Sequence, residues 1–213
     1  MEVVETTMLE TSGMTDDKAV PVRTRDPERR YKILAAAADL VARNGFNAVS
    51  MSDIGAASGI TGSGIYRHFD SKSAVLVELF DNAIDRLIED AERTLDSGIG
   101  LEQALRDLVG GQIEFVVGER EVAQVYHNEI HNLPEDDRRR LRRKQRLYIE
   151  EWVHLIDELR PDLDDAEARA VVHAAIGAIQ STLFHSVGLP VERLRQILAE
   201  SALAVLGVTS PNA

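Results

Sequence analysis

Apolar residues recur at helical spacing along most of the chain. Ile33, Leu34, Ala37, Leu40 and Val41 form one stripe, and Val75, Leu76, Leu79, Phe80, Ile84, Leu87 and Ile88 form a longer one. Positions three and four apart share one face of an α-helix, so each stripe needs a partner surface to bury it. No Asn-Gly or Asp-Gly stands between alternating apolar runs, so no hairpin is predicted. No repeat of fixed period occurs either. The pattern predicts an all-α protein of about nine helices.

The stops and starts mark the elements. Asp26-Pro27-Glu28 suits a first helix start, with Asp26 as N-cap and Pro27 at the first helical position. Asn44-Gly45 ends that helix, with Gly45 able to turn left-handed. A second helix starts at Ser50 or Ser52 and stops at Gly59. A third, short one runs from Thr61 through Ile65, Tyr66 and Phe69, and Ser71 caps a fourth over residues 71–95. Further helices are expected from Leu101 to about Val117, Glu121 to about Leu133, Pro134 to before Pro161, Asp164 to about Val187, and beyond Pro190 to about Leu206. Asp164 and Glu167 have the spacing of a capping box. Residues 1–25 are expected to form a disordered tail, 26–72 a helix-turn-helix head, 73–207 a helical body and 208–213 a flexible C-terminus.

Several chemistries are excluded at once. The 213-residue chain has no cysteine, which removes disulfides, thiolate metal sites and cysteine nucleophiles. No apolar run is long enough to cross a bilayer as a helix, so no membrane partner is expected. The acidic first twenty residues lack the apolar region of a secretory signal, and a cytoplasmic protein is expected. The net charge of −12 would argue against nucleic acid, but it is unevenly spread. Residues 23–72 carry eight basic and five acidic side chains, +3, which leaves −15 for the rest. Such asymmetry hints at a nucleic-acid-binding segment.

The stretch Ser50 to Lys72 reads SMSDIGAASGITGSGIYRHFDSK. Two short helices around Gly59-Ile60 are what a helix-turn-helix needs, with Ile54, Ile65 and Phe69 able to lock the pair. The second helix can then enter a DNA major groove. Tyr66, Arg67 and His68 offer a hydroxyl, a guanidinium and an imidazole for phosphates, and Lys72 stands at the next helix start. On this pattern alone, Tyr66 and His68 equally suit gaps between packed helices.

In these details the sequence resembles the TetR-type one-component transcriptional regulators. The resemblance rests on Ile33-Leu34, Ala37 and Leu40; Asn44-Gly45-Phe46; Ser50; Asp53-Ile54; Gly59-Ile60-Thr61; Ile65-Tyr66-Arg67-His68-Phe69; and Ser71-Lys72, within residues 28–80. It implies a homodimeric, ligand-responsive repressor on a roughly palindromic double-stranded operator. It also implies phosphate contacts from Ser50, Tyr66, His68 and Lys72, a backbone contact from Arg67, and Thr61 as cap of the recognition helix. The chain departs from the family at Gly62-Ser63-Gly64, where Lys-Gly-Thr or similar is common. Each glycine costs about 1 kcal/mol in helix propensity. The expectation is a close backbone approach to DNA at Gly62 and Gly64. Ser63 would then be the one base-reading side chain of the three, with DNA shape adding specificity. Arg23, Arg25, Arg29 and Arg30 are either an arm for the adjacent minor groove or a solvated basic terminus.

In the body, Phe115, Tyr126, Tyr148, Trp152 and Phe184 either line a cavity or fill a plain core, with Asn128, Glu129 and Gln180 as candidate polar contacts. His127 and His131 share a helix face, which suits either a metal ion or a bare surface, and no third ligand adjoins them. No cofactor is expected. The run Arg138–Arg146 is either a solvated face of ion pairs or an anion clamp at the cavity mouth. The resemblance favours a Coenzyme A thioester for such a clamp, since some relatives respond to these. Ala174, Ala175, Gly177 and Ala178, with Ile176, Ile179, Leu183, Leu194, Leu198 and Val205, suit a two-fold dimer contact or an internal core. The competing reading of the whole chain is an all-α ligand carrier or enzyme without DNA binding. No Ser/His/Asp set or glycine-rich phosphate loop supports an enzyme.

Overall fold

The structure is a computed structural model and describes residues 27–60, 63–185 and 188–208. Helix α1 spans Pro27–Asn44, α2 Met51–Ala57, α3 Lys72–Asp96, α4 Leu101–Ile113, α5 Arg120–Glu129, α6 Glu135–Leu159, α7 Asp165–Gln180 and α8 Val191–Leu206. These eight helices, with no strand among the described residues, come close to the expected count. The expected helix from Thr61 to Phe69 is the exception. Thr61 and Gly62 lie outside the described residues, and the rest of that segment holds a single 3₁₀ turn, Ile65–Arg67. Its bonds run three residues back, from Arg67 N–H to Gly64 C=O and from His68 N–H to Ile65 C=O. Gly64 at the head of the turn disfavours a longer helix.

The caps explain the other boundaries. Ser50 and Asp53 satisfy each other's backbone N–H groups in a capping box, as do Asp164 and Glu167. Ser71 accepts from the N–H of Ala74 and starts α3. Gly45 has φ +80° but ψ 155°, so it turns the chain by positive φ without the left-handed helical cap expected of it. The expected N-cap Asp26 lies outside the described residues. Helix α7 stops at Gln180, short of the expected Val187. There the Ser181 and Thr182 hydroxyls donate to the carbonyls of Ala178 and Ile179, and the chain tightens into a 3₁₀ turn. At the far end Val208 is still buried and donates its N–H to Leu203 C=O, so the packed body reaches beyond residue 207.

Two apolar cores form, and α3 belongs to both. Its first half sends Val75, Leu76, Leu79 and Phe80 into a cluster with Ile33, Ala37 and Val41 of α1, Ile54 of α2, and Ile65 and Phe69. The same cluster takes in Val125 of α5, Leu133, and Leu141 of α6. The head core therefore does not end at residue 72. Ala91 of α3 belongs to the second cluster, with Leu105, Leu108 and Val109 of α4, Trp152 and Ile156 of α6, Val172 and Ile179 of α7, and Leu198 and Leu206 of α8.

Two cations fasten the head. Lys72 donates to the carbonyls of Phe46 and Val49 (2.5 Å for Val49), and its ammonium lies 4.1 Å from the Phe46 ring centroid. It pins the loop between α1 and α2 onto the start of α3. Arg30 of α1 forms a two-pronged ion pair with Glu78 of α3, donates to His68 C=O at 2.8 Å, and stacks 4.2 Å over Phe69. It ties α1, α3 and the 3₁₀ turn together.

A charged lattice joins α3 to α6. Asp81 accepts from Arg140 at 2.5 Å and Lys144 at 2.8 Å, and Asp85 accepts from Lys144 at 2.7 Å. Burial alone would raise the Asp81 pKa, but hydrogen bonds from Arg140 and Lys144 outweigh it and hold the carboxyl below its ordinary value.

Because the folded state lowers this pKa, the lattice stabilises fully above the unfolded aspartate value of about 3.9 and fades as pH falls through the lower folded value. Asp81→Asn should therefore lower the thermal midpoint at pH 7, with the gap to the parent protein closing below about pH 4. A gap constant from pH 7 to pH 3 would remove the ionic role. Lys72→Met should cost the fold about 2 kcal/mol, the scale of lost hydrogen bonds from a charged donor. An unchanged unfolding midpoint in urea would show that Lys72 is no clamp.

Candidate functional site

The head presents one polar tip. Ile54 and Ile65 are fully buried and Phe69 nearly so, which holds α2 and the 3₁₀ turn together as expected. With those positions inward, Tyr66 and Arg67 must face out. Tyr66 is 57% exposed, Arg67 is exposed, and neither side chain makes a hydrogen bond or ion pair with other described residues. Ser63 is exposed beside them, and Gly64 is half-buried. His68 is half-buried, with its carbonyl held by Arg30. Ser50 is exposed at the α2 N-terminus, but its hydroxyl is engaged with Asp53. That hydrogen-bonding also holds the Asp53 carboxyl below its ordinary pKa.

Two of the expected contact residues are engaged within the head. Lys72 does not point outward: two of its three N–H donors serve backbone carbonyls inside the head. Arg30, expected either in an arm or in a solvated basic terminus, is held by Glu78 and His68 C=O. Arg29 is exposed on the first turn of α1, while Arg23 and Arg25 lie outside the described residues.

A cavity of ≈ 40 Å³ opens in the body among Ile84 and Leu87 of α3, Gln112 of α4, Phe115, Tyr126 of α5, Gln145 and Tyr148 of α6, and Gln180 of α7. Phe115 reaches it from a π-helical turn, Glu114–Gly118, that continues α4. Tyr126 donates to Gln145 Oε1 at 3.3 Å and meets Phe80 edge-on. Burial pushes the Tyr126 hydroxyl up to about 12 against the opposing charge of Arg142, and it drives Tyr148 up as well, so both stay protonated and neutral. Two further hollows, ≈ 100 and ≈ 20 Å³, also border Leu87.

Four of the seven expected ligand contacts, Phe115, Tyr126, Tyr148 and Gln180, meet at this cavity. Three do not. Trp152 is fully buried in the body core, its ring 6.2 Å from Tyr148, because α6 packs there against α4 and α7. Glu129 faces the head, where it accepts from Phe46 N–H at 3.2 Å and from Asn132 at 2.6 Å. Phe184 is 56% exposed and stacks edge-on against His127. The cavity also uses Gln112, Gln145 and Leu87, which sequence reasoning passed over. Gln112 had a visible signal: it follows Leu105, Leu108 and Val109 at core positions of the α4 stripe, where a polar residue is out of place.

The basic run divides. Arg138 and Arg139 pair with Glu135, and Arg140 and Lys144 pair with the acids of α3. Arg142, Arg143 and Arg146 are exposed and make no ion pair among the described residues. They share one side of α6 at spacings of three and four. The small-residue faces divide too. Ala175, Ile176, Ile179, Leu183 and Leu198 are internal core, whereas Ala174, Gly177 and Val205 remain exposed. No helix among the described residues is long and apolar enough to cross a membrane.

Comparison with known proteins agrees with this arrangement. Residues 33–79 match the family described as bacterial regulatory proteins, tetR family, and residues 99–183 match the tetracyclin repressor-like C-terminal domain. The HTH-type transcriptional repressor KstR2 of Rhodococcus jostii (strain RHA1) is 30% identical over 110 residues, 52% of this chain and 54% of that protein. The chain thus spans about half the length of that relative. A TetR-family transcriptional regulator from Bordetella parapertussis 12822 superposes with a TM-score of 0.74 at 27% identity, over 85% of this chain and 97% of that one. AibR, solved with isovaleryl coenzyme A and operator DNA, superposes with a TM-score of 0.70 at 19% identity, over 81% and 97%, a likeness of fold alone. With both its head and its body matched, the chain belongs to the TetR family of helix-turn-helix transcriptional regulators.

Proposed function

We propose that the protein is a ligand-responsive repressor, a homodimer that binds a roughly palindromic operator in the cytoplasm and acts by binding alone, without catalysis. The observation that carries this reading is the Tyr66–Arg67 tip. Two side chains suited to phosphate stand free on a turn whose apolar neighbours are locked in the head core. An all-α carrier would have no use for such a tip. Ser63 and His68 flank it in sequence, Ser50 and Arg29 are further exposed candidates on the head, and the backbone at Gly64 carries no side chain that would keep DNA away. Lys72 contributes by holding the loop before α2. The exposed faces of α7 and α8, with Ala174, Gly177 and Val205, suit the two-fold contact. A dimer then offers two tips to successive half-sites.

The effector proposed is an acyl thioester of Coenzyme A. Support comes from an uncharged, largely apolar cavity and from the unpaired Arg142, Arg143 and Arg146 on α6, beside the cavity residue Gln145. The fold is one that accommodates such a ligand in AibR. At ≈ 40 Å³ the cavity is far below the few hundred Å³ of a typical ligand site, so binding must displace Leu87. Leu87 is carried by α3, the helix shared by both cores. A ligand that prefers a shifted α3 draws the population away from the DNA-binding form.

Arg67→Ala should weaken binding to operator and to random duplex alike, and should reduce the slope of log affinity against log salt by about one. Tyr66→Phe should weaken both without changing the slope. Fluorescence anisotropy across a salt series measures each, and an unaltered Arg67→Ala profile would sink the assigned docking. Octanoyl-CoA should lower operator affinity at least tenfold while octanoate does not. Replacing Arg142, Arg143 and Arg146 together by alanine should blunt that response and spare basal DNA binding. Equal release by thioester and free acid would deprive the arginines of their role.

A further inference from the structure

Gln112 is 97% buried by surface area, at 3% relative exposure, yet it borders the cavity. A glutamine amide offers two N–H donors and an acceptor oxygen. Its side chain makes no hydrogen bond with another described residue, and neither amide atom is among those sealed from all open space without a partner, so the amide opens onto the cavity. Buried polar groups are almost always paired, and an unpaired one costs stability. A leucine at this position would continue the α4 stripe at no such cost. The other polar groups around the cavity are also neutral: Gln145 and Tyr126 bond each other, and Gln180 and Tyr148 complete the set. No cationic side chain lines it.

Resting on the effector-binding reading above, we propose that Gln112 is a specificity-determining ligand contact: its amide N–H donates to an uncharged oxygen, such as a thioester or ketone carbonyl, within an otherwise apolar ligand. A free carboxylate is rejected, because it would be buried without a counter-charge. A site built to pair a polar group penalises the analogue that lacks it, since its own amide then stays unpaired.

Trp152 is the chain's single tryptophan and packs against the cavity residue Tyr148, so its emission reports binding without any DNA. The full-length protein is titrated with octanoyl-CoA and with S-octyl-CoA, the thioether that lacks only the carbonyl oxygen. A second pair is nonan-2-one and nonane, with nonanoate as the charged control. The parent protein should bind the carbonyl member of each pair at least tenfold more tightly than its partner, and nonanoate at least tenfold more weakly than nonan-2-one. Gln112→Leu should erase both ratios and raise the thermal midpoint of the unliganded protein, a gain that a purely structural glutamine would not give. Gln112→Met serves the same purpose if the leucine variant folds poorly.

Carbonyl preference that survives in both variants overturns the proposal, as does binding of nonanoate equal to nonan-2-one, or binding of no probe. If the ketone pair discriminates through Gln112 while neither CoA derivative binds, the thioester reading fails and the Gln112 contact stands. If octanoyl-CoA binds and releases operator but S-octyl-CoA does so equally, the regulator reading stands and the Gln112 contact falls.

Discussion

Helix α3 is buried in two cores at once, and the rest of the molecule is organised around that fact. Val75, Leu76, Leu79 and Phe80 help fill the head, while Ala91 sits in the body core against α4. Packed interiors resist continuous deformation, so the two cores cannot slide along α3 independently. A displacement at its middle must be answered at its N-terminus, where Lys72 and Arg30 hold the loop and the turn that bear the Tyr66–Arg67 tip. Leu87, which borders three hollows, sits on that middle section.

Polar contacts set the direction of that coupling. Asp81 and Asp85 bind α3 to α6 through Arg140 and Lys144, and Glu129 of α5 holds Phe46 in the head. Tyr126 lies one turn before Glu129 on the same helix and faces the cavity. The cavity and the head loop are thus linked by two short rigid routes, one through α3 and one through α5. The cavity itself is small and neutral, ≈ 40 Å³, so any guest larger than a few atoms would have to displace its walls.

Much of the fold was legible in the residues. The apolar stripes gave the helices, and Ser50, Ser71, Asp164 and the Asn44-Gly45 stop gave most of their ends, because capping is a local hydrogen-bond exchange. The locking trio Ile54, Ile65 and Phe69 was legible for the same reason, since spacing alone puts them on facing sides. The site was less so. Phe115, Tyr126, Tyr148 and Gln180 converge as expected, but Trp152, Glu129 and Phe184 share their helical character and not their destination. The tight turn at Ile65–Arg67 also escaped the periodic pattern, because a glycine-bounded segment can satisfy the same spacing with fewer helical bonds.

The amino-acid order by itself determined the all-α class, the punctuation into helices and the polar character of the Tyr66-Arg67 pair. Each of these depends on neighbours a few residues away. Only the tertiary structure decided which charges are spent. Lys72 and Arg30 turned inward to carbonyls and Glu78, Arg140 and Lys144 turned to α3, and Arg142, Arg143 and Arg146 stayed free. Only it decided that Gln112 borders a hollow. The physical reason is that a side chain's partner lies across space, often dozens of positions away in sequence, and helical periodicity fixes a direction on one helix without saying what stands opposite.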